Sequence, residues 1–309
     1  MIDFHNHFVG SAFAPMAGRG APAARRAHFD AVNRNLASAP ALVDSIAASG
    51  VAARVINTPL EFIQDPEGDT APDTVTRIND QLAELVGRHP GRLHGLATVD
   101  VFSGEAGARE VVRAVRELGL RGVFAQAAKK DLLLDAPQAR PALAAAASLG
   151  VPVFVHPITD ARLATRLRRY GRPGVTLNRG TINAAALVAL LESGTLDELP
   201  QLRIVVTTLA IGAILLVANL HGDKRLRRDA PETARRHVYI DTMGLDPVLI
   251  RAAVDTLGAD HVIAGTDWPI FLEPRVPERL RQALDAAGLD AEEQRLVAAW
   301  NAGRLLGIA

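Results

Sequence analysis

The sequence predicts an α/β fold: a single (β/α)₈ TIM-type barrel with a C-terminal helix, occupying residues 1–309 as one domain. Three observations predict it. Short apolar segments of the kind buried in parallel sheets alternate with Ala- and Leu-rich segments of helical character. The alternation can be counted as eight strand-and-helix units, and no linker or change of composition interrupts it. A length of 309 residues is also ordinary for a barrel of this type.

The elements follow one another in a regular order. The first strand opens the chain at residues 1–7, and an Ala-, Gly- and Pro-rich segment to about residue 26 follows it as a predicted loop. The other strands are predicted at residues 51–57, 94–101, 122–125, 151–156, 203–208, 238–241 and 261–267. The helices are predicted at residues 35–49, 72–89, 105–118, 137–149, 160–169, 183–193, 212–220, 247–257, 277–287 and 291–306. An open, doubly wound sheet is the alternative, but no Gly-x-Gly-x-x-Gly motif follows a strand to support it.

The charge balance and the composition exclude several classes of protein. Lys plus Arg equals Asp plus Glu at 34 each, so no net field favours nucleic acid or a membrane surface, and a small-molecule partner is expected. The chain contains no cysteine, so a bound metal must be held by nitrogen and oxygen atoms. The N-terminus shows no signal-peptide pattern, and the longest apolar run, Leu209–Leu220, is too short to span a bilayer. The sequence therefore predicts a cytoplasmic protein.

The opening strand ends in His5-Asn6-His7, whose period-two pattern directs both imidazoles to the same side of the strand. In a barrel of this type the C-terminal ends of the strands form the active-site face. His156 ends the fifth predicted strand and Asp267 ends the eighth, so both are expected beside the histidine pair. Three imidazoles and a carboxylate suit one divalent metal ion, with Zn²⁺ as the first choice and Mn²⁺ as the second.

Four sequence motifs carry a resemblance to a known family. They are Asp3-Phe-His5-Asn-His7, Val153-Phe-Val-His156-Pro157, Gly265-Thr-Asp267-Trp-Pro269 and the terminal Asn301-Ala-Gly-Arg-Leu-Leu-Gly307. With these motifs in this order, the chain resembles the amidohydrolase superfamily over essentially its whole length. The closest resemblance is to the aminocarboxymuconate-semialdehyde decarboxylase-like branch, which also contains resorcylate decarboxylases. It implies that His5, His7 and His156 are metal ligands and that Asp267 is a ligand or an acid/base group beside the metal.

Two departures refine this expectation. The fourth strand contains no lysine, since Lys129 follows its end by several residues, which favours one metal ion over a pair bridged by a modified lysine. At the end of strand six the family usually shows a histidine, and this chain has Thr208. A threonine hydroxyl can donate or accept a hydrogen bond but cannot serve as a base near neutral pH. Thr208 is therefore a candidate catalytic residue of altered character, and Asp267 and the loop residue His28 are the other candidates for proton transfer.

The sequence leaves three functional hypotheses open, two of them enzymatic and one without catalysis. The first hypothesis is a metal-dependent decarboxylase of a small aromatic or unsaturated carboxylic acid, with Asp267 as the proton donor. The second is a metal-dependent hydrolase of an amide or lactone bond, and the third is a metal-binding protein without catalysis. The resemblance also suggests a homodimer.

The loops supply candidates for substrate binding. Arg54, Lys129 and Arg179 are cationic candidates to hold a substrate carboxylate. Trp268, next to Asp267, is a candidate to line an apolar pocket above the metal.

Overall fold

The computed structural model describes residues 1–18, 23–64, 68–217, 229–272 and 275–308. Eight parallel strands alternate with helices along these residues. Strand β3 consists of two short segments on either side of Leu96. The strands β1 to β8 are Ile2–His7, Ala53–Asn57, Leu93–Gly95 with Ala97–Thr98, Val123–Gln126, Pro152–His156, Arg203–Val206, Val238–Asp241 and Val262–Ile263.

The strands pair in sequence order, and backbone hydrogen bonds close the ring. β1, β2 and the first part of β3 form one parallel sheet, and the second part of β3 begins another that continues through β8. The amide of Leu96, between the two parts of β3, donates to the carbonyl of Ile56 at 2.9 Å. At the other seam, the amide of Phe4 donates to Ala264 at 2.8 Å and the amide of Asp267 donates to His5 at 2.9 Å. The chain therefore forms the predicted (β/α)₈ barrel.

Fourteen α-helices lie outside the strands within the described residues. A π-helical turn, Leu296–Trp300, joins the last two of them. The helices α1 to α14 are Arg26–Ala37, Ala39–Ser49, Pro72–Arg88, Glu105–Arg116, Arg140–Leu149, Ala161–Leu167, Gly171–Glu192, Thr195–Glu198, Ile211–Leu216, Ala230–His237, Pro247–Leu257, Val276–Ala286, Ala291–Arg295 and Asn301–Leu306.

Most predicted elements are present with small differences at their ends, and three helices differ more. The first helical region starts earlier than predicted, at Arg26, and is divided at Ser38, which follows α1 and caps α2. Helix α7 begins at Gly171 rather than near residue 183. The predicted helix at residues 212–220 is described only to Val217, and its last three residues lie outside the described residues.

An apolar layer fills the barrel interior below the strand ends. Each strand contributes one buried side chain to it, and residues of α14 cover its lower side. Large apolar side chains in a layered arrangement make a TIM-barrel interior a packed core rather than a channel. The strand residues of this layer are Phe4, Val55, Leu96, Phe124, Phe154, Val205, Tyr239 and Ile263.

A β-bulge in β1 changes which side chains face the interior. Strict alternation predicts that Phe4 and His5 point to opposite faces, and this expectation is wrong. The register shifts by one residue, since Asp3 pairs with Arg54 while Asn6 pairs with Ile56. The extra residue lets Phe4 join the interior layer while His5 also points inward. The bulge thus keeps the apolar layer complete directly beneath the histidine pair.

The region of α6 and α7 is long and apolar enough to cross a membrane by length and composition alone. Its span is Ala161–Glu192. In the structure, however, its inner side packs on the barrel, where Asn183 of α7 donates to the carbonyl of Val155 at 3.0 Å and accepts from the hydroxyl of Thr207 at 2.8 Å. One such helix is weak evidence for a membrane span, because a core helix of a soluble protein passes the same test.

Candidate metal centre

Four side chains able to bind a metal ion meet at the C-terminal end of the barrel. His5 and His7 belong to β1, His156 ends β5, and Asp267 lies beyond β8. One potential ligand atom from each side chain lies within 4.8 Å of those of the other three. The imidazoles are buried, and the side chain of Asp267 is 13% exposed. The structure therefore brings together all four residues that the sequence placed around a metal ion.

The two histidines of β1 point lone pairs at each other. Nδ1 of His5 lies 2.6 Å from Oδ2 of Asp241, and Nδ1 of His7 lies 2.7 Å from Oδ1 of Asn57. Since both partners are acceptors, the hydrogen-bond network assigns the proton of each neutral ring to Nδ1. The two Nε2 atoms, 3.2 Å apart, are then both acceptors. A cation between these nitrogens turns an unfavourable contact into ligation.

The carboxylate of Asp267, on the opposite side of the cluster, also indicates a bound cation. Its Oδ1 lies 3.0 Å from Nε2 of His7 and 3.5 Å from Nε2 of His5. With the imidazole protons on Nδ1, no described residue donates a hydrogen bond to this buried oxygen. A buried carboxylate oxygen without a donor is costly unless a cation compensates it. The three imidazoles and this carboxylate therefore fit one divalent metal ion.

The environment shifts the pKa of each histidine in the cluster. Burial acts to lower the pKa of His5, but the carboxylates of Asp267 and Asp241 outweigh it and raise that pKa. Burial lowers the pKa of His7 despite its contact with Asp267. The pKa of His156 is lowered well below its ordinary value by burial, with His7 and Arg179 adding to the effect. Neutral imidazoles are the form that binds metal, and a cation in the cluster would replace the proton that His5 otherwise attracts.

Asp241, at the end of β7, holds His5 in place and is itself held by hydrogen bonds. Its Oδ1 accepts from the amide of Thr208 at 2.8 Å and from the amide of Met243 at 3.1 Å. The hydroxyl of Thr208 donates to the backbone carbonyl of Asp241 at 2.5 Å. A side chain at Gly265 would not fit here, since an added Cβ would lie 2.9 Å from Cβ of His5. These contacts fix the orientation of the His5 ring, which is how carboxylates beside metal-binding histidines tune their affinity.

A second buried network lies behind β1, on its outer face. The guanidinium of Arg54 pairs with the carboxylate of Asp3 at 2.5 Å, also donates to the side-chain oxygen of Asn6, and reaches Oγ of Ser49 at 3.0 Å. Asp3 in turn accepts from the amide and the hydroxyl of Thr266 at 3.0 and 2.7 Å. The network therefore ties β1 and β2 to the residue before Asp267, and so fixes the backbone that carries the ligands.

Comparison with known proteins identifies the family. The model of the amidohydrolase family matches residues 2–308. The chain belongs to this amidohydrolase family. Among similar proteins, a gamma-resorcylate decarboxylase of Rhodococcus jostii (strain RHA1) is 29% identical over 266 residues, which cover 78% of each chain. A 2-amino-3-carboxymuconate-6-semialdehyde decarboxylase of Dictyostelium discoideum is 24% identical over 264 residues, or 82% of this chain and 72% of the relative. The expected superfamily and branch are thus confirmed.

Solved structures agree with the fold of this amidohydrolase. A 5-carboxyvanillate decarboxylase from Sphingomonas paucimobilis superposes with a TM-score of 0.81 at 22% identity, covering 100% of this chain and 99% of the other. A dihydroxybenzoic acid decarboxylase from Polaromonas sp. JS666, solved with bound manganese and 2-nitroresorcinol, gives a TM-score of 0.84 at 21% identity, with 99% and 96% covered. At these identities the comparison supports the barrel architecture over the whole length of the chain.

Two residues proposed from the sequence to bind substrate lie elsewhere in this amidohydrolase. Arg54 lies within β2, in the strand predicted at residues 51–57, but its side chain is 1% exposed and pairs with Asp3, so it is not placed to hold a substrate carboxylate. The ring of Trp268 is 5% exposed and lies 5.3 Å from the guanidinium carbon of Arg54. Both side chains are therefore part of the network behind β1. The strand pattern of residues 51–57 does not reveal this, because every residue of β2 is buried.

Three of the other proposed side chains, Lys129, Arg179 and Thr208, already have a partner. Nζ of Lys129 lies 2.6 Å from Oδ2 of Asp100. Arg179, on α7, forms a two-pronged ion pair with Glu61. The hydroxyl of Thr208 is engaged with Asp241 rather than with the ligand cluster. His28 lies on α1 with its ring beside Phe29, outside the four-residue ligand cluster.

The strand-end rule that found Asp267 also places Asp241, which ends β7, on this face, although sequence reasoning assigned it no role. Two further residues that support the site were not singled out from the sequence. Asn57 ends β2 and accepts from His7, but an asparagine at a strand end has no distinctive sequence signal. Glu61 follows β2 in a 3₁₀ turn, and its pairing with Arg179 joins positions 118 residues apart.

Proposed function

We propose that this chain is a metal-dependent decarboxylase acting on a small aromatic carboxylic acid. The observation that carries the proposal is the buried cluster of His5, His7, His156 and Asp267, whose potential ligand atoms lie within 4.8 Å of one another and in which Oδ1 of Asp267 has no hydrogen-bond donor among the described residues. The decarboxylase names of the similar proteins support this activity over hydrolysis. No feature of the described residues specifically favours an amide or lactone as the substrate.

The cluster would hold one divalent metal ion, which supplies Lewis-acid polarisation of oxygen atoms on the substrate. We propose manganese or zinc as the ion. A carboxylate together with three imidazoles suits either ion. The manganese bound in the dihydroxybenzoic acid and 5-carboxyvanillate decarboxylase structures supports manganese, although the donor set taken alone favours zinc.

The residues of this chain would perform the proton transfer and hold the substrate. Decarboxylation breaks the bond between the ring carbon and the carboxyl carbon, leaves its electron pair on the ring carbon and releases CO₂. Asp267 would take a proton from the substrate's hydroxyl group and deliver it to that ring carbon. The side chain of Asp267 is 13% exposed, whereas that of His5 is fully buried, which supports contact between this carboxylate and a substrate. Thr208 acts through Asp241 and His5, so we propose it as a positioning residue.

The first experiment measures metal content and CO₂ release together. Protein purified without added metal would be analysed for Zn, Mn and Fe, as the native chain and as His156→Ala and Asp267→Asn. His94→Ala is the matched control, since His94 lies at the start of β3, away from the cluster. We expect about one metal ion per chain in the native and control proteins and loss of metal in His156→Ala.

Activity is then assayed as CO₂ release from 2,6-dihydroxybenzoate, 2-hydroxybenzoate and 5-carboxyvanillate, with lactones included to test hydrolysis. Absence of metal after reconstitution with Mn²⁺ or Zn²⁺ would contradict the metal-dependent mechanism. Metal retention without turnover would instead favour the hypothesis that the chain binds a metal ion but does not catalyse a reaction.

We further propose that the protein is cytoplasmic and forms a homodimer. Two leucines of α9, Leu215 and Leu216, are 55% and 53% exposed, and Val248 at the start of α11 is 73% exposed. Apolar side chains this exposed are often covered by a partner. Sedimentation of the native protein and of a Leu215→Lys variant tests the dimer, which we expect the variant to weaken.

A further inference from the structure

Glu61 and Arg179 form a fork-shaped ion pair at the edge of the ligand cluster. Nη1 of Arg179 lies 2.9 Å from Oε2 of Glu61, and Nη2 lies 2.8 Å from Oε1. The side chains are only 10% and 20% exposed. Two parallel charge-assisted hydrogen bonds of this kind are the geometry with which arginine recognises any carboxylate, including that of a ligand.

The pair directly adjoins a metal ligand. Oε1 of Glu61, which accepts from Arg179, also lies 3.6 Å from Nδ1 of His156. The guanidinium is thus separated from the imidazole by a single carboxylate oxygen. Arg179 also contributes to lowering the pKa of His156, and Asp267 contributes to raising the pKa of Arg179. A carboxylate bound to Arg179 would therefore lie beside the cluster.

The two partners differ in how firmly they are held. Arg179 sits on α7, which packs closely enough on the turn after β6 that a Cβ at Gly180 would lie 2.9 Å from the carbonyl of Leu209. The preceding residue, Asn178, exchanges two hydrogen bonds with the backbone of Asp160. Glu61 has no described partner apart from Arg179 and the nearby His156, so rotation of its side chain is enough to leave the guanidinium.

We propose that Glu61 occupies the carboxylate-binding position of Arg179 in the free protein and that the carboxylate of an aromatic acid displaces it. This inference rests on the proposed function, since it names how that substrate is received. Lys129 is the weaker candidate, because its partner Asp100 has no contact with a metal ligand and an ammonium group lacks the fork geometry.

If the ligand carboxylate replaces Glu61 on Arg179, removing the charge of Glu61 should change the affinity for the ligand in a predictable direction. Without that charge, the free protein is left with an uncompensated, mostly buried guanidinium, which lowers its stability. The complex with a carboxylate is not affected in the same way, because the ligand satisfies Arg179. Affinity for the ligand therefore rises. If the ion pair instead persists in the complex, both states lose the same contact and affinity stays the same or falls.

The test measures binding of 2-hydroxybenzoate to the Mn²⁺-loaded protein by calorimetry. The variants are Glu61→Gln, Glu61→Asp and Arg179→Gln. The matched control is Glu110→Gln, because Glu110 forms a similar two-pronged pair with Arg113 within the outer helix α4. We expect Glu61→Gln to bind roughly tenfold more tightly, equivalent to about 1.4 kcal/mol, and Arg179→Gln to bind roughly tenfold more weakly. Glu61→Asp, which keeps the charge but not the reach, should bind more tightly than the native protein by a smaller factor. The control should not change.

Equal or weaker binding by Glu61→Gln overturns the exchange, as does the absence of any binding by that variant. Thermal unfolding provides an independent reading: Glu61→Gln should melt at a lower temperature than the native protein when free and at the same temperature when saturated with ligand. A different result would contradict the proposed function but not the exchange: the native protein releases no CO₂, while the order of affinities is as expected.

Discussion

Nδ1 of His5 lies 2.6 Å from a carboxylate oxygen of Asp241, and this contact orients the His5 ring within the cluster of candidate ligands. It fixes the proton of the ring on Nδ1 and directs the lone pair of Nε2 at His7, 3.2 Å away. Asp241 lies on β7 and His5 on β1, so the contact spans the barrel interior above the apolar layer. Several predictions about metal affinity depend on it.

Replacing Asp241 by asparagine should weaken metal binding. The amide keeps the shape of the side chain but removes the charge that orients and polarises His5, a change that typically costs about 10- to 100-fold in metal affinity. Competition with a chelator of known affinity measures it. The control is Asp246→Asn, at the exposed N-cap of α11, where asparagine caps equally well. Equal affinity of the native and Asp241→Asn proteins would show that His5 is oriented by other contacts.

Replacing Thr208 by valine should lower the free energy of unfolding and leave the rate of turnover largely unchanged. The substitution removes the hydroxyl that donates to the carbonyl of Asp241 and leaves that buried acceptor without this donor. We expect a loss of about 1–3 kcal/mol in the free energy of unfolding, measured with urea on metal-free protein. Thr208→Ser, which keeps the hydroxyl, should retain most of the stability. A stable Thr208→Val protein with abolished turnover would instead indicate a direct catalytic role.

Replacing Arg54 by methionine should destabilise the protein strongly and with a defined pH dependence. Removing one member of a buried ion pair costs about 3–5 kcal/mol, because the carboxylate of Asp3 is left buried and unpaired. Burial already raises the pKa of Asp3, Arg54 is the main group opposing that rise, and the variant should raise the pKa further.

The pH dependence has a definite sign. A carboxyl group with a raised pKa keeps its proton in the folded state at pH values where the unfolded chain has lost it, so its contribution to stability falls as pH rises. The difference in unfolding free energy between native and Arg54→Met proteins should therefore be smaller at pH 5 than at pH 8. A difference independent of pH would mean that Asp3 stays ionised in the variant.

Replacing Gly265 by alanine should disturb the metal centre through sterics alone. The new Cβ would lie 2.9 Å from Cβ of His5 and 3.1 Å from Cβ of Asp241, so one of them must move. We expect a loss of about 1–3 kcal/mol in stability, together with weaker metal binding. Gly87→Ala is the control, because nothing lies within 4 Å of the added carbon and alanine is the better helix former in α3. The control should be at least as stable as the native protein.

The sequence predicted the barrel and the meeting of the four candidate ligand residues at one end of it, because both depend on short-range signals. Apolar strands alternate with helices in the printed sequence, and the position of a residue at the end of its strand predicts the face on which it lies. His5, His7, His156 and Asp267 all satisfy that rule. The same rule places His261 at the opposite end, where its Nδ1 lies 2.7 Å from the carbonyl of Val238.

The remaining features depend on contacts that no local pattern encodes. The bulge that turns both Phe4 and His5 inward arises from pairing with β2, about fifty residues away in the chain. Arg54 could not be assigned to the outer face of β2, because a strand buried on both faces shows no alternation of polar and apolar residues. The engagement of Arg179 by Glu61 depends on the positions of α7 and of the 3₁₀ turn after β2 relative to the barrel.

The placement of the ligands has a mechanical consequence for the whole molecule. The barrel seam, where β8 meets β1, is held by few backbone hydrogen bonds, among them those of Phe4 and Asp267. His5 and His7 lie on one side of this seam and Asp267 lies on the other. A metal ion held by these residues would link the first strand to the residues that follow the last strand. Its binding would therefore oppose opening of the barrel at this seam.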